Sequence, residues 1–275
     1  MEKIETGGAG IAYELRGQLR GQRPVVALLN GIAMSIAHWN PVADALAAAG
    51  FSVLLHDMRG QLLSDKPDEA YSLELHARDL AALLDALGLR STAMVGTSYG
   101  AEVGLTFARD FPDRCEALVL VDGVSETDGV LRAAAESWKR AALADPRLFY
   151  RVILPWNYSS SWLEANEALI AKREAAMPDL PRAYFEAFAR LCDAFLKVDL
   201  TKDLPSILAP TLVVVAGKDI LKHRAFARIM ADGIPGARYV EIPDSGHAVV
   251  IEKPAEVAAL AIEFLEKTGP HAPNE

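Results

Sequence analysis

The ten residues Ala93-Met94-Val95-Gly96-Thr97-Ser98-Tyr99-Gly100-Ala101-Glu102 constrain what this chain can fold into more than any other stretch. Ser91 to Val95 is short, apolar and bounded upstream by Gly88 and Arg90, as expected of a buried strand. Glu102 to Arg109 has helical apolar spacing before Phe111-Pro112 stops it. A chain that turns from strand to helix in so few residues must bring the two backbones close together, which explains glycine at 96 and 100. It must also hold Ser98 in a strained backbone conformation that exposes its hydroxyl. A Cβ at either glycine is expected to clash. The G-x-S-x-G spacing alone is a weak signal, because glycine and serine are common; the strand before it and the helix after it give it weight.

The rest of the chain repeats this rhythm. Ile11 to Leu15 alternates like a half-exposed strand, and a turn over Gly17 to Arg23 leads into the apolar run Pro24 to Leu29, which reads as a central strand. That run ends in Asn30-Gly31-Ile32-Ala33-Met34, and Trp39 to Leu46 opens a helix with proline in its first turn. Phe51 to His56 is the next strand. A helix capped by Ser72 runs to a stop at Gly88, with His76 expected to face solvent or cap locally. Ala117 to Asp122 and Thr211 to Ala216 are further strands. A helix around Ala225 to Ala231, a last strand over Ala237 to Ile242 and a closing helix from Pro254 to Leu265 follow. Such βαβ alternation argues for an α/β architecture, a mostly parallel sheet covered by helices on both faces.

From about Ser125 to Pro205 the strand signals vanish, and amphipathic helices alternate with proline-bearing breaks. The expected organisation is a core domain of residues 1–124 and 206–275 with a helical cap inserted over 125–205. The insertion holds Trp138, Trp156 and Trp162 with several tyrosines and phenylalanines, so an apolar wall above Ser98 is a natural use of them.

A chain of 275 residues that is 51% hydrophobic and 24% charged suits a folded domain with a large core. Its net charge of −9, without a basic stripe, argues against nucleic acid as a partner. Met1 to Gly8 has neither a basic segment nor a following apolar run, and no stretch approaches membrane-spanning length, so the expected location is the cytoplasm with no membrane partner. Cys115 and Cys192 show no ligand spacing and are expected to be buried free thiols; no metal is expected.

Val95-Gly96-Thr97-Ser98-Tyr99-Gly100, together with Asp219 and Ser245-Gly246-His247, resembles the α/β-hydrolase family in its serine-nucleophile branch, over nearly the whole chain except the middle. The resemblance implies the chain order Ser…Asp…His, with Ser98 as nucleophile, Asp219 as the acid and His247 as the base. Asp122, which also ends a strand, competes with Asp219 for the role of acid. The resemblance further implies an oxyanion hole from the backbone amides of Ile32 and Tyr99, and a reaction without a cofactor. Asp57-Met58-Arg59-Gly60-Gln61-Leu62-Leu63-Ser64 resembles the family's D-x-R-G-x-G-x-S loop, with Leu62 in place of the second glycine, and Asp57 and Arg59 read as loop scaffolding. Asn30 stands where the family usually has histidine, as in relatives resembling the rhamnolipid-pathway acyltransferases. It bears on loop anchoring or on polarity beside the substrate, and with Trp138, Trp156 and Trp162 it is an expected substrate contact. His38, His56, His223 and His271 have no comparable placement at a strand end facing the elbow. The implied activity is hydrolysis of a carboxylic ester or thioester of an apolar acyl group, the partner being that small-molecule substrate. Acyl transfer and lactone or carbon–carbon bond hydrolysis use the same residues. A non-catalytic binding module would be expected to have lost one of the three.

Overall fold

The computed structural model describes residues 2–17 and 23–268, so His271 and most of the turn before Pro24 lie outside the described residues. Eight strands form one sheet: β1 (Glu2–Thr6), β2 (Ala9–Arg16), β3 (Val25–Leu29), β4 (Ser52–His56), β5 (Thr92–Thr97), β6 (Cys115–Val121), β7 (Thr211–Ala216) and β8 (Arg238–Ile242), in the order β1-β2-β4-β3-β5-β6-β7-β8. The pairs β1·β2 and β2·β4 are antiparallel and all others parallel. β3, β4, β5 and β7 are buried along their whole length, which is why they read as continuous apolar runs rather than alternating ones. β8, by contrast, is mostly exposed or half-exposed at the sheet edge.

The helices are α1 (Asn40–Ala48), α2 (Leu73–Ala86), α3 (Tyr99–Asp110), α4 (Gly129–Ala144), α5 (Pro146–Asn157), α6 (Ser160–Ala165), α7 (Glu167–Ala176), α8 (Arg182–Phe195), α9 (Arg224–Gly233), α10 (Val249–Glu252) and α11 (Pro254–Thr268). Two separate apolar clusters lie on the two faces of the sheet. One gathers α2 and α3 with residues of α4, α5 and α8; the other gathers α1 and α11. Between β6 and β7 the chain is helical, α4 to α8, and it leaves and returns through a narrow neck. There Glu126 pairs with Asp199, Leu200 N–H donates to Ser125 O at 2.7 Å, and the Ser125 and Thr201 hydroxyls are 2.8 Å apart. Among the described residues no helix is long and apolar enough to cross a membrane.

His76 departs from its expected place. It is buried in α2, with Nδ1 2.9 Å from the Tyr99 hydroxyl and its ring edge-on to both Tyr71 and Tyr99. The helical pattern of α2 places residue 76 with Leu73, Ala77 and Leu80 on the inward face, and α3 covers that face. Burial depresses its pKa to about 3, so the ring is neutral.

Candidate active site

β5 ends at Thr97 and α3 starts at Tyr99, leaving one residue, Ser98, to make the turn. Its φ is 53° and ψ −121°, a left-handed conformation that side-chain-bearing residues rarely adopt. The flanking glycines allow it. A Cβ on Gly96 would lie 2.4 Å from the Gly100 carbonyl oxygen, and one on Gly100 would lie 2.1 Å from the Leu29 carbonyl oxygen. The expected clash at both positions is therefore with backbone.

His247 reaches this serine from the loop after β8. Its Nε2 is 2.9 Å from Ser98 Oγ and its Nδ1 2.7 Å from Asp219 Oδ2. Asp219 follows β7, and its other oxygen accepts the backbone amides of Leu221 (2.7 Å) and Lys222 (2.9 Å). Three loops at the carboxyl ends of parallel strands thus carry a continuous hydrogen-bonded chain, where open α/β sheets place their sites. Asp122 ends β6 beside this chain but makes no hydrogen bond to the imidazole among the described residues: its Oδ1 accepts Ala216 N–H at 2.7 Å. Burial first, and the neighbouring Asp219 charge second, push its carboxyl well above the usual range and favour the neutral acid. Asp122, Asp219 and His247 bring donor atoms within 4.8 Å of one another; Asp219 and His247 are bonded to each other and Asp122 Oδ1 to the Ala216 amide, while Asp122 Oδ2 is buried with no hydrogen-bond partner among the described residues.

Beneath Asp219 lies a buried ion pair that no local sequence pattern signals. Lys222 Nζ donates to both carboxylate oxygens of Glu102 at 2.9 Å, and Glu102 Oε1 also accepts Val124 N–H at 2.8 Å. The pair joins α3 to the loop carrying Asp219, so the Ser98 and Asp219 loops are braced against each other.

On the other side of Ser98, the loop after β3 passes close by: a Cβ on Gly31 would lie 3.4 Å from Ser98 Cβ. Asn30 anchors that loop. It is fully buried, its Nδ2 donates to His56 O, Asp57 Oδ1 and Gln61 Oε1 at 3.2, 3.0 and 2.9 Å, and its Oδ1 accepts Trp39 Nε1–H at 2.9 Å. The expectation that Asn30 touches substrate is therefore corrected: all its hydrogen-bonding groups are used inside the protein. Asp57 accepts Ile36 N–H and Leu63 N–H, each at 2.8 Å, and Arg59 forks onto Asp79 at 2.7 and 2.6 Å, so the Asp57 to Ser64 loop is held from within. Ile32 and Tyr99 turn their side chains into the core, and neither amide donates to a protein group among the described residues.

A cleft of about 330 Å³ opens onto Ser98 and His247. Its far wall comes from the inserted helices: Phe149, Tyr150, Ile153, Leu154, Asn157 and Tyr158 of α5 and the turn after it, and Arg173, Met177 and Leu180 of α7 and the segment after it. Leu62, the residue in place of a loop glycine, lines the cleft as well. Trp138, Trp156 and Trp162 do not, which corrects the expected substrate contacts. Trp138 and Trp156 meet edge to face at 6.4 Å within the packing of the inserted helices, and Trp162 stacks on Tyr158 at 4.0 Å and 10°. One face of α5, at 149, 150, 153, 154 and 157, turns to the cleft; Trp156, seven residues after Phe149, sits at the edge of that face and is taken up by Trp138 instead, so helical spacing alone did not exclude it. The His247 loop is tied to this wall: Ala248 N–H donates to Asn157 O at 2.7 Å, and Glu252 accepts Ser159 N–H at 2.8 Å and Gly246 N–H at 3.2 Å. His38 lines the cleft, while the imidazoles of His56 and His76 are buried away from it.

The sheet order, the elbow and the helical insertion between β6 and β7 define an α/β hydrolase. A model of the alpha/beta hydrolase fold family matches residues 24–254, and the chain belongs to that family. It is 31% identical over 246 residues to the protein of Azorhizobium caulinodans named "Putative carbamate hydrolase RutD", covering 88% of this chain and 89% of that one. MGS-M2, an α/β hydrolase enzyme from a Medee basin deep-sea metagenome library, superposes with a TM-score of 0.92 at 28% identity over 97% of this chain and 98% of its own. A malate-bound thermophilic esterase from Thermogutta terrifontis superposes with a TM-score of 0.84 at 27% identity, covering 98% of this chain and 99% of that one.

Proposed function

We propose that this α/β hydrolase cleaves carboxylic esters of small, largely apolar acyl groups through an acyl-enzyme on Ser98. The observation that carries the reading is the pair of short contacts on one imidazole, 2.9 Å to the Ser98 hydroxyl and 2.7 Å to Asp219. In this mechanism His247 Nε2 accepts the hydroxyl proton as Ser98 Oγ attacks the acyl carbon. Asp219 holds the Nδ1–H tautomer and stabilises the imidazolium that forms. The oxyanion takes hydrogen bonds from the amides of Tyr99, at the positive end of α3, and Ile32, on the loop beside Ser98, each contributing about 3 kcal/mol in the transition state. His247 then protonates the leaving alkoxide. A water, deprotonated by the same nitrogen, attacks the acyl carbon, and collapse returns the proton to Ser98. No step calls on a cofactor. The cleft volume, at the low end for small-molecule sites, favours a short acyl chain.

A carbamate carbonyl fits the same steps, and the likeness to the Azorhizobium protein favours it as the second reading. A cytoplasmic location accords with Cys115 and Cys192, both buried and free. The test is Ser98→Ala assayed on p-nitrophenyl esters and carbamates, beside fluorophosphonate labelling and peptide mapping. Turnover should fall by roughly 10⁴ to 10⁶ with an unchanged fold, and Ser98 should be the labelled residue. A Ser98→Ala enzyme that keeps most of its activity would refute the mechanism.

A further inference from the structure

The cleft carries a fixed positive charge that the proposed ester chemistry does not use. Arg173 belongs to α7, a helix with one buried side chain, Ile170, and it could extend into solvent as its neighbour Lys172 does. Instead it is half-buried and lines the same cleft as Ser98 and His247. Its recorded partner is neutral: Nη1 donates to the Tyr158 hydroxyl at 3.3 Å. The adjacent carboxylate, Glu174, is taken by Arg151, and Arg173 forms no ion pair among the described residues. Among the described residues no Asp or Glu lines the cleft. A second observation points to the same place. The Tyr150 hydroxyl, on a residue more than nine-tenths buried in the cleft wall, lies beside the Arg173 guanidinium, and no hydrogen bond of good geometry satisfies it among the described residues. A buried hydroxyl left unpartnered is unfavourable by about 1 to 3 kcal/mol and is satisfied when a ligand brings an acceptor. A guanidinium with two phenols around it presents several donors and one unit charge to a planar oxyanion, the pairing in which arginine forms two parallel hydrogen bonds.

We propose that Arg173, with the Tyr150 and Tyr158 hydroxyls, is a carboxylate-recognition subsite, and that the substrate is a small monoanionic ester carrying a free carboxylate away from the scissile carbonyl. This rests on the Ser98 ester reading and narrows its substrate class. The molecule's overall charge of −9 does not attract an anion, so the local cation must do so inside the cleft, where the apolar wall strengthens it. His38 does not add a charge there: burial foremost, reinforced by Arg173 itself, lowers its pKa and keeps it neutral at neutral pH.

The experiment compares two matched ester pairs: mono(4-nitrophenyl) adipate with its methyl ester, placing the carboxylate on the acyl side, and 4-(pentanoyloxy)benzoate with its methyl ester, placing it on the leaving group. kcat/KM is measured for wild type, Arg173→Gln, Arg173→Lys and Tyr150→Phe, with Ser98→Ala as background, and adipate binding to each is followed by calorimetry. In wild type one acid should be preferred over its methyl ester by about tenfold or more, mainly through KM. That ratio should collapse in Arg173→Gln, be partly kept in Arg173→Lys and drop severalfold in Tyr150→Phe. The pair showing it identifies the side of the carbonyl that carries the carboxylate. Ser98-dependent turnover with no preference in either pair would overturn the subsite and leave the ester reading standing. Were no ester turned over, that reading would fail, and adipate binding would decide the subsite: binding lost in Arg173→Gln upholds it, and no binding to wild type overturns it.

Discussion

Gly100→Ala tests the geometry of the elbow with a single methyl group. The added Cβ would lie 2.1 Å from the Leu29 carbonyl oxygen, 2.5 Å from its carbon and 2.8 Å from the Asn30 oxygen. All three are backbone atoms, so no rotamer change relieves the overlap. An ordinary carbon–oxygen contact of about 3.4 Å requires α3 and the end of β3 to separate by roughly 1.3 Å. Those two elements carry the amides of Tyr99 and Ile32 that are proposed to bind the oxyanion, so the strain and the lost geometry fall on the same place. Overpacking of this kind destabilises by about 1 to 3 kcal/mol or more, which corresponds to a fall in melting temperature of several degrees in a chain of this size. Misplacement by about 1 Å should lower kcat/KM on a p-nitrophenyl ester and the rate of fluorophosphonate labelling by roughly 10². Gly129→Ala is the control, since nothing lies within 4 Å of its added Cβ and it heads α4; it should leave both readouts unchanged. A Gly100→Ala protein with the melting temperature and labelling rate of wild type would refute the reasoning.

Three further outcomes are expected. Asp219→Asn should lower turnover by about 10⁴, by analogy with the protease triad in which the wrong imidazole tautomer is stabilised, whereas Asp122→Asn keeps an oxygen for the Ala216 amide and should have little effect; the reverse pattern of rates would make Asp122 the acid. Lys222→Met strands the Glu102 carboxylate in the core and should destabilise by about 3 to 5 kcal/mol in urea unfolding, while the Glu102→Leu/Lys222→Met double variant should recover most of that; equal stability of the single and double variants would contradict it. His76 has a folded pKa of about 3 against an ordinary 6.5, so unfolding takes up a proton between those values. Its contribution is fully present above pH 6.5 and is lost as the pH falls towards 3, so the stability gap between wild type and His76→Gln should narrow on acidification. Parallel stability curves from pH 7 to pH 4 would exclude this account.

What the sequence determined by itself is what short-range backbone chemistry dictates. The elbow is legible because strand, turn and helix lie within ten residues, and glycine at 96 and 100 has a steric reason that any strand-to-helix turn this tight shares. Buried strands are legible as apolar runs because both faces of a parallel sheet are covered, and the helical insertion because its periodicity replaces theirs. Tertiary structure alone decided which groups meet. Ser98 and His247 are 149 residues apart and come within hydrogen-bond distance through the strand order, which no local pattern encodes. Asp122 and Asp219 end adjacent strands in the same way; the rotation of each side chain gave one to the imidazole and the other to the Ala216 amide. Asn30 reads as a substrate contact until Trp39, Asp57 and Gln61 close around it. His76 reads as a surface residue of α2 until α3 packs over it. The tryptophans of the insertion and the cleft residues Tyr150, Ile153 and Arg173 have similar local sequence signals. A helix's own periodicity defines its faces, but which face meets substrate depends on what is packed against the other one.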